Sequence, residues 1–276
     1  MPRYEVRELQ KQLKVYADGR YVAALQQGKF RPYIYPVFTP AGHGVTQIAP
    51  ADHLHHLSIW VAHEDVNGIN FWAPETRFAS PPPQILVRST DISIEADGVR
   101  FVQEIEWVDG DGTLVLREQR RSTIAAGPAA NTIDVVATLE APGHEVRLGQ
   151  TKEAGVAVRM ADQIDVLDGG RIVNAEGDEN EANTFDRISA WVDYAGPVTP
   201  EAIAGVAVFP YPDVSDIPWF TRDYGPMYVS PWRHQAMTLA AGETYSIGVR
   251  FAAHDGSCEE ADVAGLYARF REELGG

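Results

Sequence analysis

Apolar and polar residues alternate with a period of two along most of the chain, the spacing of strands with one buried face. "KQLKVYADGRYVAALQQG" holds two such runs joined at Asp18-Gly19, a hairpin signal because both residue types tolerate a left-handed backbone. "ILVRSTDISIEADGVRFVQEIEWVDGDGTLVLREQRRSTIAA" repeats the device, turning at Asp97-Gly98 and again at Gly110–Gly112. Further strands are predicted at "NTIDVVATLEA", "EVRLGQ", "AGVAVRM", "RISAWVDYAG", "AIAGVAVFPY" and "ETYSIGVRFAAH". Many short strands at regular turn spacing imply a sandwich or barrel rather than βαβ units.

Only the last part of the chain reads firmly as helix, over about 258–274. Ser257 is the candidate cap, and Glu259, Glu260 and Asp262 suit a helix N-terminus. Val263, Leu266, Tyr267, Phe270 and Leu274 fall on one face that can pack on a sheet. No shift in composition marks a boundary, so one all-β domain is expected over residues 1–276. Two stretches interrupt the alternation. "FASPPPQ" cannot be a central strand, because proline lacks the N–H a ladder needs. "NAEGDENEANTFD" reads as a solvated acidic insertion; its carboxylates do not follow the spacing of an EF-hand loop, which leaves a calcium loop the weaker alternative.

Composition narrows the partners. The formal net charge is −16, so the surface repels phosphate backbones and anionic lipid. A nucleic-acid or membrane partner is not expected; a small neutral molecule or a cation is. The opening "MPRYEVRELQKQLKVYADG" is charged and lacks the apolar core of a secretory signal, and no apolar run is long enough to cross a bilayer. A cytoplasmic location is therefore expected. Cys258 is the single cysteine, which excludes an internal disulfide and a cysteine-held zinc. No pattern fixes an oligomeric state.

Candidate chemistry is concentrated in "DHLHHLSIWVAHEDVNGINFW", Asp52 to Trp72. In an extended chain His53 and His55 share a face; in a helical turn His53 and His56 do. Either geometry pairs imidazoles. One reading is a divalent metal held by two of His53, His55 and His56, with Asp52 or Glu153 as a further ligand. "HEDVN" does not complete a zincin motif, because Asn67 stands where the second histidine belongs. The other reading is acid–base work on a sugar: histidine titrates near neutrality, Trp72 offers a flat apolar face, and Asp65, Asn67 and Asn70 suit hydroxyls. Trp60 and Phe71 are expected in the core.

Two more constellations stand out. Lysine is scarce, and after Lys29 the only one is Lys152, beside Glu153 in "LGQTKEAGVAVRM". Glu153 suits a general base or metal ligand, and Lys152 an oxyanion stabiliser; a surface ion pair is the plain alternative. "WVDYAG" and "IPWFTRDYGPMYVSPW" gather aromatics with Asp193, Trp219, Arg222 and Tyr224, candidates for the rim of a substrate cleft.

"RPYIYPVFTPAGHGVT", "DHLHHLSIWVAHEDVNGINFW", "LGQTKEAGVAVRMAD", "WVDYAGP" and "PWFTRDYGPMYVSPW" together resemble, in the same order, the motifs of the DUF6807 (PmoA-like) family, over about Arg31 to Trp232. The family usually has proline where Leu54 stands; the histidines are kept. The resemblance implies a large two-sheet antiparallel β-sandwich of the galactose-mutarotase-like kind. It also implies carbohydrate metabolism, because genes of the family are often found with sugar oxidoreductases and sugar isomerase-like proteins. A methane-oxygenase role is not supported, since no membrane segment or copper site is legible. In aldose epimerases of that fold a histidine protonates the ring oxygen and a glutamate takes the anomeric proton. By role alone, His53, His55 or His56 would be the acid here and Glu153 the base.

The expected activity is therefore that of an enzyme acting on a sugar or a modified, keto-bearing glycoside by epimerisation, elimination or hydrolysis. A metal-dependent version of the same chemistry and a non-catalytic carbohydrate-binding accessory protein are the alternatives.

Overall fold

The structure is a computed structural model that describes residues 1–75 and 80–275. Two large antiparallel sheets face each other. The first has the order β1 (Tyr4–Leu9), β2 (Gln12–Ala17), β3 (Arg20–Gln27), β4 (Pro32–Val37), β5 (Ile59–His63), β11 (Ala154–Arg159), β16 (Pro226–Val229), β15 (Trp219–Thr221). The second runs β12 (Arg171–Asn174), β13 (Val192–Thr199), β14 (Ala202–Pro210), β18 (Thr244–Asp255), β9 (Ala130–Glu140), β8 (Leu114–Ala125), β7 (Val99–Val108), β6 (Gln84–Ile94). A small pair, β10 (Val146–Leu148) with β17 (Met237–Leu239), stands apart. The expected all-β two-sheet sandwich is thus present.

Alternation explains the second sheet. Residues of β7 and β9 are buried on every second position, so these strands have one core face and one wetter face. The first sheet differs at its centre: every residue of β5 and of β11 is buried. Loops cover its outward face there. Residues 44–48 act as an irregular extra strand, bridging Phe38 to Gly44, Thr46 to Met160 and Ile48 to Leu57. One apolar core spans both sheets, with Ile59, Val61, Val156 and Val158 from the first and Ile133, Val135 and Phe251 from the second.

The hairpin at Asp18-Gly19 forms with both residues at positive φ. The C-terminal helix is shorter than expected. It is α2, Val263–Glu273, capped by Asp262, whose side chain accepts from Gly265 N–H. Ser257 caps a preceding turn instead, its Oγ accepting from Glu260 N–H at 3.2 Å. Val263 and Phe270 pack on Phe209, Ala207 and Ala252, on the outward face of the second sheet, while Leu274 is exposed. The acidic stretch is also more ordered than a solvated insertion. Asn174 is buried and its Oδ1 accepts from Glu176 and Asp178 N–H, and the stretch continues into α1, Asn180–Thr184. Of the proline-rich stretch, Phe78 and Ala79 lie outside the described residues; Pro81–Pro83 form no strand.

Candidate functional site

The centre of the first sheet's outward face is floored by small residues. Gly155, Ala157 and Arg159 follow every second position along β11, Glu153 immediately precedes it, and register sets Ala157 between Trp60 and Tyr228. Gly155 has a φ of 127°, and a Cβ there would strike the carbonyl of Val229. Trp72 packs against both Trp60 and Tyr228, with ring centroids 5.1 Å and 5.3 Å away.

The histidines converge at one end of this floor. The turn after Pro50 is closed by His53 N–H to Pro50 O and His56 N–H to His53 O. It stacks His53 on His56 at 4.6 Å, with His55 edge-on to both at 5.5 Å and 4.6 Å. The stack continues inward to Trp60 and outward to Tyr224, whose ring lies 4.8 Å from that of His53. Arg31, fully buried, donates to His55 O, Phe71 O and Glu75, and so ties the turn to the sheet. Arg159 lies under Tyr224, contacts His56 Nδ1 at 3.3 Å and pairs with Asp52 and Asp162.

The three imidazoles are not equivalent. Burial, with Arg31 and the other histidines adding repulsion, pushes His55 down to about 4 and His56 down to about 2. Both are neutral at physiological pH. His53 is half-exposed, and its Nδ1 meets Asp52 Oδ2 at 2.7 Å. Burial works to raise the Asp52 carboxyl, but the His53 hydrogen bond and Arg159 hold it below its ordinary value.

A metal centre fits this arrangement poorly. His53 and His56 lie face to face, within 12° of parallel, so their ring lone pairs run side by side instead of converging. Among the described residues no three His, Cys, Asp or Glu side chains are grouped to hold an ion.

At the other end of the floor stand Lys152 and Glu153. Lys152 is exposed and its Nζ is 4.0 Å from Glu153 Oε1. Tyr228 donates to Lys152 O at 3.0 Å. Burial raises the hydroxyl pKa of both Tyr228 and Tyr224, and the Glu153 charge adds to each. Buried nitrogens of this region without a protein partner include His55 Nδ1, Asn70 Nδ2, Trp60 Nε1, Trp72 Nε1, Arg31 Nε and Arg159 Nε.

Other expected site residues lie elsewhere or do other work. Trp72 is on this face but is 1% exposed, wedged between aromatics, so it is wall and not platform. Trp219 is fully buried in the core, its Nε1 donating to Ser189 O. Asp193 belongs to the second sheet, buried against His254 at 2.7 Å. Asp65 and Asn67 build a turn: Asp65 accepts from Gly68 N–H and pairs with Arg147, and Asn67 accepts from Arg147 N–H. Arg222 braces the Tyr224 turn. Its Nη1 donates to Glu181 at 2.6 Å, Asp223 N–H donates to Glu181, and Glu181 N–H donates back to Asp223. Tyr194 of the second sheet also donates to Asp223 O.

Sequence reasoning missed Arg31, Arg159 and Glu181 as supports. For Arg159 a signal existed: a lone charge closing the apolar run "AGVAV".

Residues 12–268 match the model of a family described as a family of unknown function, DUF6807. No curated protein matches the chain. Among solved structures, the chain is similar to a galactose mutarotase-like protein from Lactobacillus casei (9% identity, TM-score 0.40, covering 91% of this chain and all of that one). It is also similar to a galactose 1-epimerase from Lactobacillus acidophilus (7%, 0.43, 93% and 99%). A GH36 alpha-galactosidase from Geobacillus stearothermophilus gives 12% and 0.43, over 92% of this chain and 41% of that one.

Proposed function

This chain belongs to the DUF6807 family, and we propose that it is a carbohydrate-active enzyme working by histidine–carboxylate proton transfer. The observation that carries the reading is the convergence of His53, His55 and His56 beside Tyr224, over a floor of small residues walled by aromatics. Half-buried Tyr224 presents part of its ring and a hydroxyl beside His53.

Roles follow from protonation. Neutral His55 and His56 are hydrogen-bonding groups, not proton reservoirs. His53, in contact with solvent and oriented by Asp52, is the proton carrier. Glu153 serves as the opposing base, and Lys152 stabilises negative charge developing on a carbonyl oxygen. With a keto sugar, abstraction of the adjacent C–H proton leaves an enolate, which expels a leaving group or is reprotonated on the other face.

Time-resolved proton NMR with aldoses, glycosides and their keto derivatives tests this reading. One substrate is expected to change in the presence of the protein. His53→Ala is expected to slow that change by about 10²–10⁴-fold with little loss of affinity. Unaltered turnover in both His53→Ala and Glu153→Gln would rule the mechanism out.

A further inference from the structure

A concavity lies at one end of the sandwich, between the β2–β3 hairpin and the loop after β4 on the first sheet and the β8–β9 turn on the second. It has a volume of about 830 Å³, within the range of small-molecule sites, and its walls include Asp18, Arg20, Tyr21, Phe38 and Asn131. The walls are fixed in place. Arg20 donates to Pro40 O at 3.3 Å, Asn131 donates to Phe38 O at 2.8 Å, and Asp255 holds Thr39 and Ala41. Tyr21 sits at 5.2 Å from Phe38 and stacks on Tyr16 at 5.0 Å, 19° from parallel.

These rings belong to a row. Tyr16 and Tyr21 alternate with the core residues Val15 and Val22, so they face outward. Tyr33 and Tyr35 flank core Ile34 in the same way, and Tyr33 pairs in register with Trp60. Tyr16, Tyr21, Tyr33 and Tyr35 are all half-buried, each presenting part of a ring and a hydroxyl. The half-buried tyrosines of β2, β3 and β4 thus share the outward face with Trp60, on which His56 stacks.

We propose that the cleft binds a neutral glycan segment continuing from the sugar held at the histidines, with Tyr21 as its stacking platform. The substrate is then an oligosaccharide or long glycoside rather than a free monosaccharide, an inference that rests on the sugar-processing reading above. Charge selects neutrality. Asp18 and Arg20 offset each other at the cleft, and the −16 chain repels a polyanionic glycan. Aromatic faces beside mixed donors and acceptors suit pyranose rings, which are apolar on one side and hydroxylated at the edge.

The test is titration calorimetry with glucose and with neutral gluco-oligosaccharides of increasing length, on the wild type, Tyr21→Ala, Tyr21→Phe and Arg20→Ala. Affinity is expected to rise about tenfold or more with length. Tyr21→Ala is expected to abolish that gain, Tyr21→Phe to retain it, and Arg20→Ala, at an exposed position, to weaken it without endangering the fold. Glucose affinity stays the same throughout. Affinity independent of length, or equal losses for glucose and long chains in Tyr21→Ala, would overturn the proposal. Length-dependent binding through Tyr21 with no sugar converted would keep the cleft and remove the enzymatic reading. Conversion of short sugars with no benefit from length would do the reverse.

Discussion

At the scale of single residues, burial decides which ionisable groups take part in chemistry and which hold the fold. His55 and His56 have folded values below the ordinary value of about 6.5, so the unfolded chain takes up protons first as pH falls. Their contribution to stability is whole above about 6.5 and is lost toward about 4 for His55 and about 2 for His56. The denaturant midpoint is therefore expected to fall between neutral pH and about pH 5, and His56→Gln to fall less steeply. Equal slopes would remove His56 from the acid transition. His254 has the opposite sign. Burial disfavours its charge, but Asp193 outweighs burial and raises it. That contribution is whole below about 6.5 and lost as pH rises through the folded value. Asp193→Asn should cost about 3–5 kcal/mol at mildly acidic pH, less in alkali, because it leaves His254 buried without its counter-charge. The histidine run was legible because three imidazoles in four positions are rare. The burial of Asp193 and Trp219 was not, because their partners His254 and Ser189 are remote in sequence or depend on which way a strand faces.

At the scale of elements, most strands could be read directly, since a period of two survives wherever one face is wet. What escaped was structure made by side chains folding back on backbone. The stretch from Asn174 to Asp186 lacks apolar periodicity, yet Asn174 organises its turn, and Glu181 of α1 grips the Tyr224 turn through Arg222 Nη1 and Asp223 N–H. Glu181 therefore acts as a positioning residue for the ring stacked on His53. Glu181→Ala is expected to remove hydrogen bonds to charged groups worth about 1.5–3 kcal/mol each. It should lower turnover without altering the pH profile, and a profile that moves would place Glu181 in the chemistry itself. The end of α2 shows a similar limit: several acidic residues precede it, and only backbone geometry chose Asp262 over Ser257 as its cap.

At the scale of the molecule, the two outward faces differ in kind. The second sheet carries ion pairs such as Arg88–Glu106 and Arg117–Glu140, each worth little, and the helix α2 over part of its surface. The first carries tyrosines and histidines. Among the described residues no helix is long and apolar enough to cross a membrane. The −16 charge works against compactness, so the melting temperature should rise from low salt to about 0.15 M, where the screening length is about 8 Å. A melting temperature indifferent to salt would show that the surface pairs already balance the excess.

All six tryptophans are nine-tenths or more buried, and one of them, Trp60, stacks on His56. The protein thus contains its own optical probe. Native emission should be blue-shifted, and the red shift on unfolding should be large. Because folded His56 is held down to about 2, it stays neutral while the fold lasts, so the Trp60 part of the signal should hold steady as pH falls until the red shift of unfolding itself. A ligand that reaches the histidine stack would then report its own arrival as light, without a label and without turnover.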